Sequence, residues 1–328
     1  MKAFTLRSYG SADVLDLTDI DKPVPADDEV LVRVRATSVN PYDWHTMRGE
    51  PRVARLIPGG LGLRNPKLDI LGCDMAGQVV AVGKDVTEFH PGDDVYALLE
   101  QGGFGEYVSV KEALLAPKPK NLSYSQAAAV PMAAVTALLA VRDEGRIQPG
   151  HKVLVNGASG GVGTFAVQIA RAYGATVAAV CGTRNVDLVR SIGADEVIDY
   201  NTADFTRGGQ RYDLLVDIAG SRSASACRRV LTPKGTFVAV GGQAGRWLQP
   251  AGHVFAALAA GPFMSQRIVM VDAVGCTDKK QKLMTLTELI EDGRVTPVIE
   301  RQYSFEEIPA AVRHQEEGHV LGKVVVAF

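Results

Sequence analysis

The sequence predicts an α/β protein in which a β-rich region precedes a doubly wound parallel sheet. In residues 1–122, several short stretches alternate apolar and polar side chains with a period of two, as half-buried strands do. From about Ser123, short β-branched runs alternate with helical segments instead. That second pattern is typical of a parallel sheet covered by helices on both faces.

The first region is predicted to contain mostly strands and turns. The expected strands cover 30–36, 77–83, 93–98 and 106–110. Pro-Gly pairs at 58–59 and 91–92 mark turns between them. Residues 51–69 show no clear period, so we predict a long loop there, a kind of segment that often serves function.

The second region is predicted to alternate strands and helices. The expected strands cover 153–155, 176–180, 196–198, 213–216, 236–240 and 267–271, with helices over 161–173 and 185–192. A last strand is expected over 323–328, with no helix after it.

The composition fits a folded protein without nucleic-acid or membrane partners. The 328 residues carry 46% hydrophobic side chains, and 35 basic residues nearly balance 37 acidic ones. This balance lacks the positive charge of a nucleic-acid binder. We see no apolar signal segment and no run of about 18 apolar residues. The four cysteines are far apart, which indicates a reducing compartment and a cytoplasmic location.

A glycine-rich loop is the strongest local signal. Residues 156–163 (NGASGGVG) follow a predicted strand directly and open an apolar helix. Glycines in this place permit a tight turn, let backbone amides approach a pyrophosphate, and point a helix N-terminus at its charge. The predicted cofactor contacts in this loop are Gly157, Ser159, Gly160, Gly161, Val162 and Gly163.

The end of the next strand favours NADPH over NADH. Sites for NAD place an acidic residue there to bind the ribose 2′-hydroxyl. Residues 181–185 contain no acid, whereas Arg184 can pair with a 2′-phosphate and Thr183 can donate a hydrogen bond to it. Tyr200, after the third strand, is a weaker candidate contact.

Further motifs occur at 72–77 (GCDMAG), 102–108 (GGFGEYV), 134–137 (AVTA) and 193–200 (GADEVIDY). Together with the glycine loop, they resemble the medium-chain dehydrogenase/reductase superfamily, within it the zinc-independent quinone oxidoreductase and enone reductase branch. The resemblance implies a GroES-like catalytic domain over 1–122, completed by 295–328. It also implies a Rossmann NADPH-binding domain over 123–294 and a homodimer, with edge strands near 236–274 as the interface.

The same resemblance implies roles for residues outside the glycine loop. Asn40 and Tyr42 would line the substrate pocket as catalytic residues, Tyr42 as hydrogen-bond donor or general acid, with water as the alternative proton source. Thr136 would hold the nicotinamide carboxamide. The remaining expected contacts are Cys73 beside the substrate and Gly241 and Lys323 beside the cofactor.

The metal positions of the zinc-containing relatives are changed in this chain. The resemblance implies that those relatives have Cys, His and Cys where Asn40, Cys73 and about Ala133 stand here. One soft ligand out of three does not make a tetrahedral zinc site, and His45 and Asp74 are the remaining candidates. We therefore expect no metal, and reduction of a quinone or an α,β-unsaturated carbonyl rather than oxidation of an alcohol.

Three other interpretations can be weighed. A short-chain dehydrogenase would need YxxxK after the glycine loop, but the chain has this pattern only at 107–111, before the loop. An NADPH-binding sensor without turnover would carry the same loop. A tailoring reductase of one elaborate metabolite is the third, since the 51–69 loop and the Ala- and Gly-rich segment 251–262 could shape a special pocket.

Overall fold

The computed structural model describes residues 1–56, 61–67, 69–241 and 265–328, which form two compact units. Unit 1 contains residues 1–135, 274–292 and 297–328. Unit 2 contains residues 136–273 and 293–296. The residues left out of the description, 57–60, 68 and 242–264, include parts of the predicted loop, the Ala- and Gly-rich segment and the predicted dimer edge.

Unit 2 is built on a parallel sheet of six strands in the described residues. Its strands are β8 (Lys152–Asn156), β9 (Thr176–Cys181), β10 (Glu196–Asp199), β11 (Tyr212–Asp217), β12 (Leu231–Ala239) and β13 (Arg267–Met270). Their spatial order is β10-β9-β8-β11-β12-β13. This is the doubly wound order of dinucleotide-binding folds, so the predicted fold class is confirmed.

Three helices follow strands of this sheet in the described residues: α4 (Gly161–Ala172), α5 (Val186–Ser191) and α6 (Ala224–Arg229). The first two lie where the sequence predicts helices, and α6 was not predicted. Helix α4 packs against β8 and β9 and buries Phe165 and Ile169 completely. Strand β8 is buried from Val153 to Asn156, which explains its uninterrupted apolar run.

Unit 1 carries most of its strands in one mixed sheet. Its order is β14 (Ile299–Ser304), β15 (Lys323–Ala327), β3 (Glu29–Val39), β4 (Asp74–Val82), β5 (Asp94–Leu98) and β7 (Leu115–Pro117), and β6 (Tyr107–Lys111) pairs with β3. A separate hairpin joins β1 (Lys2–Leu6) and β2 (Leu15–Asp19). The predicted last strand therefore pairs with β3, although nearly the whole chain separates them.

Five helices lie wholly or partly in unit 1 in the described residues. They are α1 (Pro41–Arg48), α2 (Tyr124–Ala128), α3 (Pro131–Leu138), α7 (Lys279–Glu291) and α8 (Ile308–Glu317). Helix α2 contacts β3, β4 and β15, and α8 contacts α1 and β15. The boundary between the two units falls within α3, which continues as a π-helical turn over 139–143.

The two compact units divide the chain at other residues than the domain boundaries that the resemblance implies. Residues 123–135 and 274–292, expected in the Rossmann domain, lie in unit 1. Helix α7 packs on β5 and β7, and the Tyr96 hydroxyl donates to the Leu283 carbonyl oxygen at 2.7 Å. Residues close in sequence decide that 279–291 form a helix. The sheet that this helix covers is decided by contacts between distant residues, such as this bond between residues 187 positions apart.

No helix formed by the described residues combines the length and the apolar character needed to cross a lipid bilayer.

Candidate active site

The glycine loop of unit 2 joins β8 to α4 with the geometry of a phosphate cradle. Gly157 follows β8 with φ +93°, a left-handed conformation that favours glycine. A Cβ at Gly163 would lie 2.1 Å from the Gly157 carbonyl oxygen, so only glycine lets the helix approach the loop this closely. The first and third glycines are therefore required by the turn and by packing.

Gly160 has a different role from these two glycines. It is the N-cap residue of α4, and a Cβ there would meet no protein atom nearer than the Gly157 carbonyl oxygen at 3.7 Å. The surface of the loop at Gly160 is thus open. A phosphate placed there would face the amide groups and the positive dipole end of a 12-residue helix. The residues present fit a dinucleotide.

Polar groups meet where the strand order of unit 2 reverses. Asn156 ends β8, and its Nδ2 donates to Asp217 Oδ1, at the end of β11, over 2.8 Å. Ligands of doubly wound sheets bind at this edge, between two neighbouring strands whose following connections run to opposite faces of the sheet. Gly241, which follows β12, lies on the same edge, and its Cβ would approach the Ile218 carbonyl oxygen to 2.8 Å.

The predicted 2′-phosphate contacts lie at the ends of β9 and β10. The Thr183 hydroxyl donates to Asp199 Oδ2 over 2.6 Å and accepts from Asn201 Nδ2 over 3.1 Å. Its single proton is therefore used by Asp199, and the contact of Thr183 with a phosphate stays a prediction. The bond from Thr183 and a backbone N–H of Asn201 lower the pKa of Asp199, so this carboxylate is ionised at neutral pH.

Two further residues complete this part of the edge. Tyr200 is half exposed, and its hydroxyl would lie 2.9 Å from a Cβ placed on Gly182, so the tyrosine covers the backbone just before Thr183. Asn185 Nδ2 donates to the Ser159 hydroxyl over 3.0 Å and connects this edge to the glycine loop. These contacts bring together the residues that the sequence predicted for the loop and for the second strand.

Unit 1 contains a second polar cluster, and it is fully buried. Asp74 lies at its centre and has no solvent exposure. Its Oδ2 accepts from the Ser38 hydroxyl, from Asn40 Nδ2 at 2.9 Å and from Lys323 Nζ at 3.3 Å. Its Oδ1 accepts from the Met132 backbone N–H at 2.6 Å.

The sheet register brings this cluster together. Val324 pairs with Val39 and Ala36 pairs with Ala76. Continued by one pair, the first ladder places Lys323 opposite Asn40 at the junction of β3 and α1. Lys323 Nζ donates to Asn40 Oδ1 at 2.5 Å, and only 3% of the lysine is exposed. The structure thus gives the Lys323 ammonium partners other than the predicted cofactor phosphates, and that contact stays a prediction.

A second buried carboxylate lies beside the first. Asp43 in α1 accepts from the backbone N–H of Asn40 at 2.8 Å and of Gly72 at 3.1 Å. Burial raises the pKa of Asp43 to about 6, and the negative charge of Asp74 adds to the shift. The Cys73 thiol donates to Asp43 over 3.5 Å, and burial holds its pKa well above its usual range. Cys73 is completely buried, so its contact with a substrate stays a prediction that these bonds do not support.

Tyr42 and His45 occupy less buried positions on α1. The pKa of Tyr42 is raised to about 12, mainly by burial and in part by the charges of Cys73, Asp43 and Glu100, while a hydrogen bond with Thr46 lowers it. The phenol therefore keeps its proton at neutral pH. His45 stacks on Trp44 with ring centroids 3.7 Å apart, and its buried Nδ1 has no hydrogen-bond partner.

Known families match both parts of the chain. The alcohol dehydrogenase GroES-like domain matches residues 26–120, and the zinc-binding dehydrogenase family matches residues 192–326. The NADPH-dependent alkenal/one oxidoreductase of Arabidopsis thaliana, a chloroplastic protein, is 33% identical over 99% of this chain and 79% of the relative. The chloroplast envelope quinone oxidoreductase homolog of the same plant is 31% identical over 99% and 98%.

This chain belongs to the medium-chain dehydrogenase/reductase superfamily. It is therefore an oxidoreductase. A solved structure agrees: the quinone oxidoreductase from Coxiella burnetii superimposes with a TM-score of 0.86 at 28% identity, over 100% of this chain and 99% of that one.

The zinc in the name of one matching family can be tested on the residues of this superfamily member. In the described residues, no three His, Cys, Asp or Glu side chains are grouped to bind a metal. Asp74 accepts from four donors, one of them the Lys323 ammonium, which also donates to Asn40. Because an ammonium donates hydrogen bonds and ligates no metal, this donor set does not fit zinc.

Thr136, Asn40 and Tyr42 are the remaining predicted site residues. Thr136 lies on α3 and is 8% exposed, and its contact with a nicotinamide stays a prediction, as do the catalytic roles of Asn40 and Tyr42. Sequence reasoning missed Asp199 and the connection of Ser38 and Asp43 to Asp74. Asp199 could have been found, because it ends the strand that adjoins β9 in a doubly wound sheet.

Proposed function

We propose that this superfamily member is an NADPH-dependent reductase of α,β-unsaturated carbonyl compounds or quinones, and that it works without zinc. The open cradle at Gly160, at the N-terminus of α4, carries the dinucleotide part of the proposal. Arg184, at the end of β9, supports NADPH as the dinucleotide, because a guanidinium pairs well with a phosphate. The name of one relative includes NADPH-dependent alkenal/one reduction.

The chemistry of unit 1 supports reduction of an activated acceptor. NADPH, when bound, supplies a hydride, and the acceptor must also gain a proton or a hydrogen bond at its oxygen. Unit 1 offers neutral donors for that oxygen: the Tyr42 hydroxyl and the second N–H of the Asn40 amide. An alcohol would need a stronger electrophile or a base to lose its proton, and the donor set around Asp74 supplies no Lewis acid.

Tyr42 is proposed as the hydrogen-bond donor rather than as a strong acid. Because burial raises its pKa to about 12, the phenol holds its proton and gives it up reluctantly. Water is then the final proton source for a reduced enone. Tyr42→Phe should lower kcat about three- to tenfold, the scale of one neutral hydrogen bond to a developing charge. An unchanged kcat and pH profile, measured with saturating NADPH, would remove Tyr42 from the reaction.

The test of the proposed function is a panel of acceptors. NADPH oxidation is followed at 340 nm with short enones, alkenals and quinones, and with simple alcohols plus NADP⁺ as the contrast. We expect turnover with the first group, no alcohol oxidation, and full activity after dialysis against a chelator. Tight NADPH binding without turnover across the panel would favour the sensor instead, and stoichiometric zinc in active enzyme would refute the zinc-free mechanism.

We also propose a cytoplasmic homodimer. Cys73, Cys181 and Cys227 are free thiols, which suits a reducing compartment. Strand β13 ends the described sheet of unit 2, and its Met270 is half exposed, so this edge could pair with a second copy. Light scattering of the purified chain that gave the mass of a single copy would contradict the dimer.

A further inference from the structure

We propose that Lys323 and Asp74 are positioning residues: together they hold Asn40 at the start of α1 and so orient both Asn40 and Tyr42 for reduction. The inference rests on the proposed function, since it names the residues that prepare that site. It also assigns Lys323 a role that differs from contact with the cofactor phosphates.

Both polar atoms of the Asn40 amide have hydrogen-bond partners whose donor and acceptor roles are fixed. Lys323 Nζ donates to Oδ1 at 2.5 Å, and Nδ2 donates to Asp74 Oδ2 at 2.9 Å. An ammonium only donates and an ionised carboxylate only accepts, so the flipped amide would oppose donor to donor and acceptor to acceptor. A single orientation follows, and it leaves one Nδ2–H for the acceptor oxygen.

The position of Asn40 sets the position of Tyr42. Asn40 is the N-cap residue of α1, where its backbone N–H donates to Asp43 Oδ2 at 2.8 Å. Tyr42 lies in the first turn of this helix, two residues later. A displacement of Asn40 therefore moves the start of α1 and the phenol with it.

Asp74 extends the same control to α3. Its Oδ1 accepts from the backbone N–H of Met132, in the first turn of that helix. Thr136, the predicted nicotinamide contact, lies one turn further along α3. One carboxylate thus fixes the starts of two helices that carry predicted site residues.

Lys323 is also the cation of this cluster. Both Lys323 and Asp74 are buried, and a buried ion pair contributes little net stability relative to apolar residues of similar size. Two buried carboxylates, Asp74 and Asp43, lie near this one ammonium. The Lys323–Asp74 pair is costly to bury, and it holds the adjacent Asn40 amide. Orientation of Asn40 therefore explains the pair better than a contribution to stability does.

The experiment compares Lys323→Met with Lys282→Met in the full-length enzyme. Lys282 is the matched control, because it is also a buried lysine of unit 1 but donates to the Thr277 carbonyl oxygen, outside the cluster. Lys323→Met should lower kcat about ten- to a hundredfold, the scale of a displacement of about 1 Å at a reacting group. The Kd of NADPH should stay within about twofold of wild type, since no phosphate contact is lost. Lys323→Arg should recover part of kcat, and Lys282→Met should leave it unchanged.

Other outcomes would overturn the inference. A raised NADPH Kd with unchanged kcat would return Lys323 to the cofactor phosphates. An equal loss of kcat in Lys282→Met would indicate a general effect of removing a buried lysine. If Lys323→Met does not fold, Lys323→Met combined with Asp74→Asn removes both charges, and its kcat should still be low.

A readout independent of turnover separates this inference from the proposed function. The side-chain amide of Asn40 can be followed by NMR, and its two N–H signals should shift and broaden in Lys323→Met but not in Lys282→Met. If wild type proves inactive with every acceptor, the proposed function fails while this measurement still decides the positioning. Unchanged Asn40 signals would refute it.

Discussion

The polar clusters around Asp74 in unit 1 and Asp199 in unit 2 use similar groups in opposite surroundings. Each carboxylate accepts from a hydroxyl and from an N–H group. Asp74 has no solvent exposure and an ammonium beside it, whereas the side chains bonded to Asp199 are open to water. Burial makes the first cluster rigid and costly to disturb, and exposure makes the second one a local charge that a cofactor can meet.

The largest difference between the two clusters is expected when each carboxylate is removed in turn. Asp74→Ala leaves the Lys323 ammonium buried without its counter-ion, so the free energy of unfolding should fall by about 3–5 kcal/mol. Asp199→Ala should cost far less, because water replaces the lost partner of Thr183. Urea denaturation of both variants measures the difference. Equal losses would mean that burial does not distinguish the two clusters.

The next effect concerns pH and a second buried group of unit 1. Burial lowers the pKa of His45 to about 4, while a hydrogen bond with the Glu50 backbone and the charge of Glu316 oppose the shift. In the unfolded chain the ring takes up its proton near pH 6.5, so native stability is lost as pH falls from 6.5 towards 4. The shift of about 2.5 pH units corresponds to about 3 kcal/mol.

His45→Phe removes this titration but keeps a ring to stack on Trp44. The free energy of unfolding of this variant should therefore fall less steeply than that of wild type between pH 6.5 and 4. The measurement is urea denaturation at a series of pH values with constant ionic strength. Parallel curves for the two proteins would show that His45 does not cause the loss.

The smallest expected effect concerns nucleotide binding at the exposed cluster around Asp199. Arg184→Asp should weaken NADPH binding about tenfold or more and NADH binding little, the scale of one charge-assisted hydrogen bond. Asp199→Asn should act in the opposite direction, because it removes a negative charge near the expected 2′-phosphate and frees no competing donor. Isothermal calorimetry with both nucleotides measures the ratio.

Arg211→Asp is the matched control for these two variants. It makes the same charge change on an exposed arginine of unit 2 that donates to the Gln210 carbonyl oxygen. An equal fall in NADPH affinity in Arg184→Asp and Arg211→Asp would show that the overall charge of the protein causes the effect. Equal losses for NADPH and NADH in Arg184→Asp would show that the arginine does not bind the 2′-phosphate.

Features set by neighbouring residues were predictable. The run from Val153 to Val155, the glycine loop and the helix after it are each written in a few consecutive residues, and the structure has all three. The proposed cofactor residues Gly157, Ser159 and Arg184 were named from the same stretch, because strands of a parallel sheet end at one edge. Periodicity and glycine placement are local properties, so the sequence states them directly.

Features set by distant residues were not predictable. Lys323 bonds Asn40, 283 residues away, through a register that no local pattern reveals. Residues 279–291 lie within the range expected for the Rossmann domain, but they form helix α7, which covers β5 and β7 of unit 1.

The sequence by itself determined the doubly wound sheet and the glycine loop between β8 and α4, because each depends on residue types at short spacing. Only the tertiary structure decided that Asp74 collects four donors and that Lys323 reaches Asn40. The physical reason is that a buried charge must find its partners wherever the folded backbone brings them, and strand register, not proximity along the chain, selects those partners.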